Sequence, residues 1–219
     1  MSNTRYRRQL DLIDPRTAKE FPITIIGAGG IGSWTALSLA KSGFKNITVY
    51  DHDVLEEHNI SNQAYPSNHV GESKVESLNS VLNFYGADQF NVLDTKFEPG
   101  DQAEGVLVMA VDSIGARKEI FEAVQYNPDV THIVDGRMGL SNINIFTFSM
   151  SDTDKIKRYK EEELDAEDVA ELPCTARTTV GTATTIGGMM TMRVVSILND
   201  DEQKFMEVYD IKNQFQISE

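Results

Sequence analysis

The chain has 219 residues, of which 40% are hydrophobic and 25% charged, the composition of an ordinary globular protein with a core of good size. Its formal net charge of −14 argues against a general nucleic-acid or anionic-membrane binder, because either class needs a basic surface. The sequence has neither a membrane-length apolar run nor a signal-peptide core, which predicts a cytoplasmic protein, and its single cysteine excludes an internal disulfide.

The first part of the sequence alternates short apolar runs with segments of helical periodicity, a pattern typical of a parallel sheet with helical crossovers. The predicted strands are at 23–26, 47–50, 90–93, 106–111 and 132–135. Apolar residues at helical spacing mark helices at 31–42, 75–85 and 120–124. The sequence therefore predicts an α/β fold, with a Rossmann-like, mainly parallel sheet and helices on both faces.

The pattern changes in the C-terminal part. Residues 142–148 alternate at period two, which favours an antiparallel strand with one wetter face. Residues 151–171 carry four basic residues followed by seven acids in the last eleven positions, which favours a solvated helix or loop over a docking site. Residues 186–198 predict a helix buried in the core or in a subunit interface. Residues 205–217 predict one or two short strands.

A glycine turn follows the first predicted strand. Residues 27–32 read GAGGIG between a strand and a helix, the place where a Rossmann-type sheet receives the phosphates of a nucleotide. The candidate nucleotide-binding glycines are Gly27, Gly29, Gly30 and Gly32. The same turn serves NAD, FAD and ATP, so the turn alone does not identify the nucleotide.

Two acidic positions follow predicted strands at the same edge of the sheet. Asp51 lies nineteen residues after Gly32, a spacing that suits a carboxylate on the ribose hydroxyls, with Asp53 beside it; the alternative is that Asp51 merely ends a strand. Asp112 follows the apolar strand 106–111. It suits a Mg²⁺ ligand, because Mg²⁺ travels with substrate phosphates, and it suits equally a cap of the next helix.

Six short motifs follow one another along the chain. They are RYRRQ (5–9), GAGGIG (27–32), YDHDVLEEHN (50–59), Gln63, VGESKVES (70–77) and VDSIGAR (111–117). Their order resembles the ThiF/MoeB/HesA family, the adenylating domains related to ubiquitin-activating enzymes. The resemblance covers about residues 5–140 and extends more loosely to the end. It implies a single adenylation domain over 1–219, with a nucleotide-binding core over 1–140 and a C-terminal extension over 141–219 that contains a crossover segment at 151–173.

This resemblance implies an activity, a set of ligands and a role for each matching residue. Members bind ATP and Mg²⁺ and adenylate a carboxyl group with release of diphosphate. The substrate is most often the C-terminal glycine of a ubiquitin-like or sulfur-carrier protein. The implied roles are ribose binding by Asp51, phosphate binding by Asn59 and Gln63, charge neutralisation by Lys74, Mg²⁺ binding by Asp112, and action across a homodimer interface by Arg8.

Three positions depart from the family pattern or extend it. The chain has Asn62 where the family commonly has a phosphate-site arginine. Arg137, predicted to lie beyond a strand tip, is a candidate substitute, and its alternative role is a surface ion pair. Cys174, in ELPCTAR, resembles the crossover cysteine that forms a thioester in larger ubiquitin-activating enzymes, although a lone cysteine also packs as a small hydrophobe.

Two other function classes stay open at this point. A non-catalytic partner subunit that binds a ubiquitin-like protein is favoured by Asn62 and disfavoured by the joint presence of Asp51, Lys74 and Asp112. An NAD-dependent oxidoreductase is disfavoured because the residues after the sheet are few for a substrate domain. Relatives with peptide or tRNA substrates also exist, and the acidity of the chain disfavours nucleic acid.

Overall fold

The computed structural model describes residues 4–86, 90–165 and 178–219. The strands of this part of the chain are β1 (Ile23–Ile26), β2 (Ile47–Asp51), β3 (Asn91–Asp94), β4 (Gly105–Met109), β5 (Val130–Gly139), β6 (Asn142–Ser149), β7 (Met206–Asp210) and β8 (Phe215–Ser218). The α-helices are α1 (Pro15–Glu20), α2 (Gly32–Ser42), α3 (Lys74–Phe84), α4 (Ile114–Val124), α5 (Thr153–Arg158) and α6 (Val180–Leu198).

All eight strands belong to one sheet, in the order β3-β2-β1-β4-β5-β6-β7-β8. The first five strands of the chain pair in parallel, and β6, β7 and β8 are added in antiparallel orientation. The predicted fold class is confirmed, including the antiparallel C-terminal strands. The sheet grows outward from β1 in one direction and then, from β4, in the other. A parallel sheet of this kind binds ligands at this reversal, beyond the carboxyl ends of β1 and β4.

The central strands β1 and β4 are buried on both faces of the sheet, which explains why nearly all of their residues are apolar. Ile25 and Val108 point to one face and pack with α2, α3 and α6. Ile26 and Met109 point to the other face and pack with α4 and the residues that follow α5. Among the described residues no helix combines the length and the apolar character needed to cross a membrane.

Several predicted boundaries are wrong. β4 ends at Met109, so Asp112 lies in the loop before α4 and not on the strand tip. The last helix begins at Val180, six residues before the predicted start, because Thr179 caps it by accepting a hydrogen bond from Thr182 N. β5 continues to Gly139 because antiparallel pairing with β6 extends it, so Arg137 lies inside a strand and not beyond one.

The described part of the charged segment is helical and mostly exposed or half-buried, which is one of its two predicted forms, but Tyr159 and Leu164 are buried. α5 runs directly into a π-helical segment, Tyr159–Leu164, within the stretch expected to be a solvated helix or loop. Tyr159 is fully buried among aromatic residues of the sheet and α4. Residues 166–173 of the predicted crossover segment lie outside the described residues.

Helix α6 packs closely against α2 at a glycine. A Cβ atom at Gly187 would lie 2.6 Å from the Cβ of Trp34 and 3.1 Å from Thr35 N. The contact includes backbone, which cannot move aside. The next residue, Gly188, faces open space, with no described atom within 4 Å of the same position.

The two neighbouring glycines give a matched test of this packing. We expect Gly187→Ala to destabilise the fold by about 1–3 kcal/mol, because the added methyl group forces the two helices apart. Gly188→Ala should stabilise it by up to about 1 kcal/mol through helix propensity alone. Urea unfolding followed by circular dichroism measures both. Equal effects of the two substitutions would contradict this packing.

Candidate active site

The glycine turn between β1 and α2 depends on close approach of backbone to backbone. Gly27 has a φ of 95°, and a Cβ atom there would lie 2.7 Å from Ala110 O. A Cβ atom at Gly32 would lie 1.8 Å from Gly27 O. Neither position accepts a side chain, so these glycines set the path of the turn. The turn brings the N-terminus of α2 toward the end of the sheet, where a helix favours an anion.

Asp51, the last residue of β2, stabilises the turn through hydrogen bonds. One carboxylate oxygen, Oδ2, accepts a hydrogen bond from Ala28 N at 2.6 Å, and the other, Oδ1, accepts one from Asp53 N at 2.8 Å. Tyr65 donates its hydroxyl to Ala28 O at 2.5 Å. Burial and the nearby Asp51 charge raise the pKa of Tyr65 well above its usual value, so the hydroxyl keeps its proton. The sequence patterns do not predict this bracing role of Asp51 and Tyr65.

A cavity of about 380 Å³ opens beside the turn, at the carboxyl ends of β1, β2 and β4. Its volume lies within the range of roughly 300–1,000 Å³ that is usual for small-molecule sites. The sequence-predicted site residues that line it are Gly27, Gly29, Gly30, Asp51, Asp53, Asn59, Gln63, Lys74 and Asp112. Residues far apart in the chain are therefore brought to one place by the ends of three strands.

Lys74 begins α3 and supplies a nearly buried positive charge. Its side chain is 9% exposed, and its Nζ lies 2.6 Å from Asp53 Oδ2. The backbone repeats the link, since Lys74 N donates to Asp53 O at 2.9 Å. Asp53 thus holds the ammonium group at the wall of the cavity.

Two buried oxygen atoms of this wall have no hydrogen-bond partner among the described residues. They are Asn62 Oδ1 and Gln63 Oε1. The backbone around them is fixed, because Asn62 O accepts from Trp34 Nε1 at 3.0 Å and Gln63 N donates to Asn59 O at 3.0 Å. An unpaired buried polar atom costs about 1–3 kcal/mol. Both residues line the cavity, so a ligand that donates hydrogen bonds fits them.

Asp112 is exposed and lines the cavity from the loop between β4 and α4. The cap of α4 is the next residue, Ser113, whose Oγ accepts from Ala116 N at 3.1 Å. The alternative role of Asp112 as the helix cap is therefore wrong. A carboxylate at the edge of a nucleotide-sized cavity suits Mg²⁺, which binds one or two carboxylates together with substrate phosphates.

The family of the chain follows from comparison with known proteins. A family model described as the ThiF family matches residues 6–218. The chain belongs to the ThiF family. The resemblance inferred from the six sequence motifs is confirmed.

Individual relatives cover less of this ThiF chain, or share only its fold. It is 33% identical to the NEDD8-activating enzyme E1 catalytic subunit of Dictyostelium discoideum over 108 residues, which is 46% of this chain and 24% of that protein. The chain thus spans about a quarter of the length of this curated relative. A crystal structure of PaaA aligns with a TM-score of 0.77 at 20% identity, covering 99% of this chain and 82% of that chain.

Crystal structures of Escherichia coli MccB share the fold as well. MccB with MccA aligns with a TM-score of 0.78 at 15% identity, covering 100% of this chain and 72% of that chain. MccB with ATP aligns with a TM-score of 0.74, also at 15% identity, covering 100% and 71%. At these identities the likeness concerns the fold.

Four sequence-predicted residues of the ThiF site do not line the cavity or lie outside the described residues. One is Gly32, which sets the path of the turn without lining the cavity. Arg137 does not line the cavity; it is buried and donates to Asp135 Oδ2 and to Glu163 Oε2, each at 2.9 Å. The ion pair of its alternative role is therefore confirmed, but the pair is buried and not on the surface. Arg8 is exposed on a 3₁₀ turn and does not line the cavity of its own chain. Cys174 lies outside the described residues, and its role stays a prediction.

The sequence patterns also do not predict some cavity residues of this ThiF chain. Lys96 and Glu119 both line the cavity and form an exposed ion pair of 2.8 Å, a type of pair that contributes little stability. The sequence could have indicated Lys96, because it follows the predicted strand 90–93 at the edge of the sheet where ligands bind. Met138 reaches the turn from β5, where its Cε would lie 2.7 Å from a Cβ at Gly30, and no local pattern indicates that contact.

Proposed function

We propose that this chain uses ATP and Mg²⁺ to adenylate a carboxyl group, with release of diphosphate. The substrate we propose is the C-terminal glycine of a ubiquitin-like or sulfur-carrier protein. The observation that carries the proposal is that one cavity joins Asp51, Lys74 and Asp112 to the glycine turn. Membership of the ThiF family, the E1 relative and the fold shared with MccB crystallised with ATP support it.

The residues of the cavity fit ATP in distinct ways. Each carboxylate oxygen of Asp51 accepts one backbone hydrogen bond and keeps a further lone pair for a ribose hydroxyl. The glycine turn and the N-terminus of α2 offer N–H groups to phosphate. Lys74 supplies a positive charge, which stabilises the charge that develops on the leaving diphosphate.

Mg²⁺ fits the same wall of the cavity. Asp112 would hold the ion, which supplies charge neutralisation on the phosphates when bound. The unpaired oxygens of Asn62 and Gln63 are acceptors, so they fit a donor such as a water molecule of the Mg²⁺ hydration shell. Adenylation then requires little covalent chemistry from the protein, because holding the reacting groups in line accounts for much of the rate.

The proposed phosphate site has fewer cations than the family pattern. Asn62 replaces the usual arginine, Arg137 does not line the cavity, and Lys96 is paired with Glu119. We therefore infer that the site depends for positive charge on Mg²⁺ and on Arg8 of a second copy in a homodimer, the role that the family resemblance implies for Arg8. Arg8 is exposed and available for such a contact.

One residue, Asn62, supports a second candidate function. Asn62 favours a non-catalytic subunit that binds a ubiquitin-like protein and completes the site of a partner. The single cavity shared by Asp51, Lys74 and Asp112 favours catalysis by this chain itself. ATP–diphosphate exchange in the presence of small proteins ending in Gly-Gly separates the two functions, since only the adenylating enzyme catalyses it.

Nucleotide binding can be tested apart from the chemistry. We expect ATP with Mg²⁺, and not NAD, to raise the melting temperature of the protein, since a ligand that binds the folded state stabilises it. Gly29→Leu should abolish this rise without loss of basal stability, because Gly29 lines the cavity and a Cβ there would meet only Gln63 Nε2, at 4.0 Å. Gly115→Leu on α4, where no described atom lies within 4 Å of the Cβ position, is the matched control. A shift with NAD alone would point to an oxidoreductase instead.

The charged groups can be tested through ATP–diphosphate exchange. We expect Lys74→Ala and Asp112→Ala each to lower the rate by about a hundredfold, or about 3 kcal/mol of transition-state stabilisation. Lys19→Ala and Asp154→Ala remove the same charges from exposed positions outside the cavity and should leave the rate unchanged. If either cavity variant catalyses ATP–diphosphate exchange at a near-normal rate, the substituted residue has no role in the site.

The dimer can be tested by complementation. Arg8→Ala and Asp112→Ala variants should each be nearly inactive. An equal mixture should restore about a quarter of wild-type activity, because about half of the dimers are hybrids and each hybrid has one intact site of two. Mixing Arg8→Ala with the double variant Arg8→Ala/Asp112→Ala should restore nothing. A protein that sediments as a monomer and still adenylates would overturn the proposal.

A further inference from the structure

A buried polar cluster lies next to the cavity without lining it. Its centre is Asp135 of β5, which has no exposed surface. Asp135 Oδ2 accepts hydrogen bonds from Tyr159 OH at 2.8 Å and from Arg137 Nε at 2.9 Å, and Oδ1 pairs with Arg117 Nη1. Tyr159, Asp135, Arg137 and Arg117 are all absent from the cavity wall. The cluster is therefore a neighbour of the proposed active site and not part of it.

Arg117 connects this cluster to the loop that carries Asp112. Its side chain is 1% exposed, and Nη2 donates both to Val111 O and, at 3.0 Å, to Gly136 O. Val111 directly precedes Asp112. A planar guanidinium group binds its acceptors in a fixed geometry, so Arg117 ties the loop to β5 at a defined distance.

Tyr159 connects the cluster to the segment that follows α5. It is the first residue of the π-helical segment Tyr159–Leu164, and its ring packs against Phe121 and Phe148, with ring centroids 5.6 and 4.9 Å away. Burial raises the pKa of Tyr159, so its hydroxyl remains a donor to Asp135. π-helical turns are rare and occur often near functional sites. Here the π-helical turn brings the hydroxyl of a fully buried tyrosine to a buried carboxylate.

The cost of this arrangement argues for a role beyond stability. Removing two charges from water costs several kcal/mol per ion, and well-packed apolar residues often stabilise a fold as much as a buried ion pair does. A buried ion pair adds a fixed position for the groups that it joins. Such precision matters near an active site, because catalytic and binding groups must be held within about half an ångström of their working geometry.

We propose that Tyr159, Asp135 and Arg117 form a positioning chain that holds the loop of Asp112 in place for Mg²⁺. Tyr159 holds Asp135, Asp135 orients Arg117, and Arg117 fixes Val111 and so the backbone that carries Asp112. The inference rests on the proposed function for the role of Asp112 as metal ligand. The hydrogen-bonded connection from Tyr159 to the loop does not depend on that function.

The chain contains a matched control for the test. Tyr159→Phe removes one hydroxyl that donates to a buried carboxylate at 2.8 Å. Tyr209→Phe removes the same group at the same distance, from Glu207 Oε1, where Glu207 is 4% exposed and pairs with Arg193 on α6. Both variants lose one tyrosine–carboxylate hydrogen bond, and only the first touches the positioning chain.

The first measurement needs no ligand. Hydrogen–deuterium exchange of peptides that cover residues 110–117 should be at least about threefold faster in Tyr159→Phe than in wild type, because the loop opens locally. Tyr209→Phe should leave these peptides unchanged. Asp135→Asn, which keeps the shape of the side chain and removes its charge, should give a larger effect in the same peptides. Equal exchange in wild type and in both variants of the positioning chain would overturn the link.

The second measurement concerns the metal. The Mg²⁺ concentration for half-maximal ATP–diphosphate exchange should rise by up to about tenfold in Tyr159→Phe. This is the lower end of the loss that follows removal of a direct hydrogen-bond partner of a metal ligand, because Tyr159 acts on Asp112 only through Asp135 and Arg117. In Tyr159→Phe, the ATP–diphosphate exchange rate at saturating Mg²⁺ and the affinity for ATP without Mg²⁺ should equal those of Tyr209→Phe. An unchanged Mg²⁺ requirement would overturn the role in metal binding. A wild-type protein that catalyses no ATP–diphosphate exchange would overturn the proposed function. Hydrogen–deuterium exchange of residues 110–117 would still test the connection between Tyr159 and the loop of Asp112.

Discussion

The hydrogen bond from Ala28 N to the carboxylate of Asp51 joins the two features on which the site depends, the glycine turn and the end of β2. The turn leaves β1 in a left-handed conformation at Gly27, which brings its backbone against Ala110 at the end of β4. A buried carboxylate under the turn fixes this path and at the same time presents oxygen atoms to the cavity. The spacing between Asp51 and the turn therefore serves the fold as well as a ligand, and a substitution at Asp51 affects both.

The cavity lies on a strongly acidic chain and has few cations of its own. The nearly buried Lys74 is held by Asp53, which keeps its charge at the wall and partly neutralises it. A tetra-anionic nucleotide is a poor ligand for such a surface without added positive charge. Because the cavity offers little positive charge, the proposed reaction requires Mg²⁺ at Asp112 and Arg8 of a second copy. Asn62 makes both more important, because the side chain that replaces the family's arginine carries no charge.

The sequence predicts the local parts of this molecule well. Apolar runs and helical periodicity identify the strands and helices of the parallel half, and the fixed spacing of glycines identifies the turn. Predictions fail where the outcome depends on pairing between distant segments. β5 extends past Arg137 because Asn144 of β6 pairs with it, which no local pattern indicates. Tyr159 looks solvated because its neighbours are charged, and it is buried because Phe121 and Phe148, from other elements, enclose it.

The two faces of the sheet are stabilised in different ways, and the difference follows the site. On the face of α2 and α6, apolar side chains and the close contact at Gly187 bring these two helices together, and the ion pair of Arg193 with the buried Glu207 lies at β7, three strands away from β4 in the sheet. On the opposite face Asp135, fully buried, joins α4, β5 and the π-helical segment through hydrogen bonds. Apolar contacts tolerate small displacements, whereas hydrogen bonds to a buried carboxylate fix distance and direction. The polar face is the one that adjoins the loop of Asp112, where a metal ligand needs a fixed position.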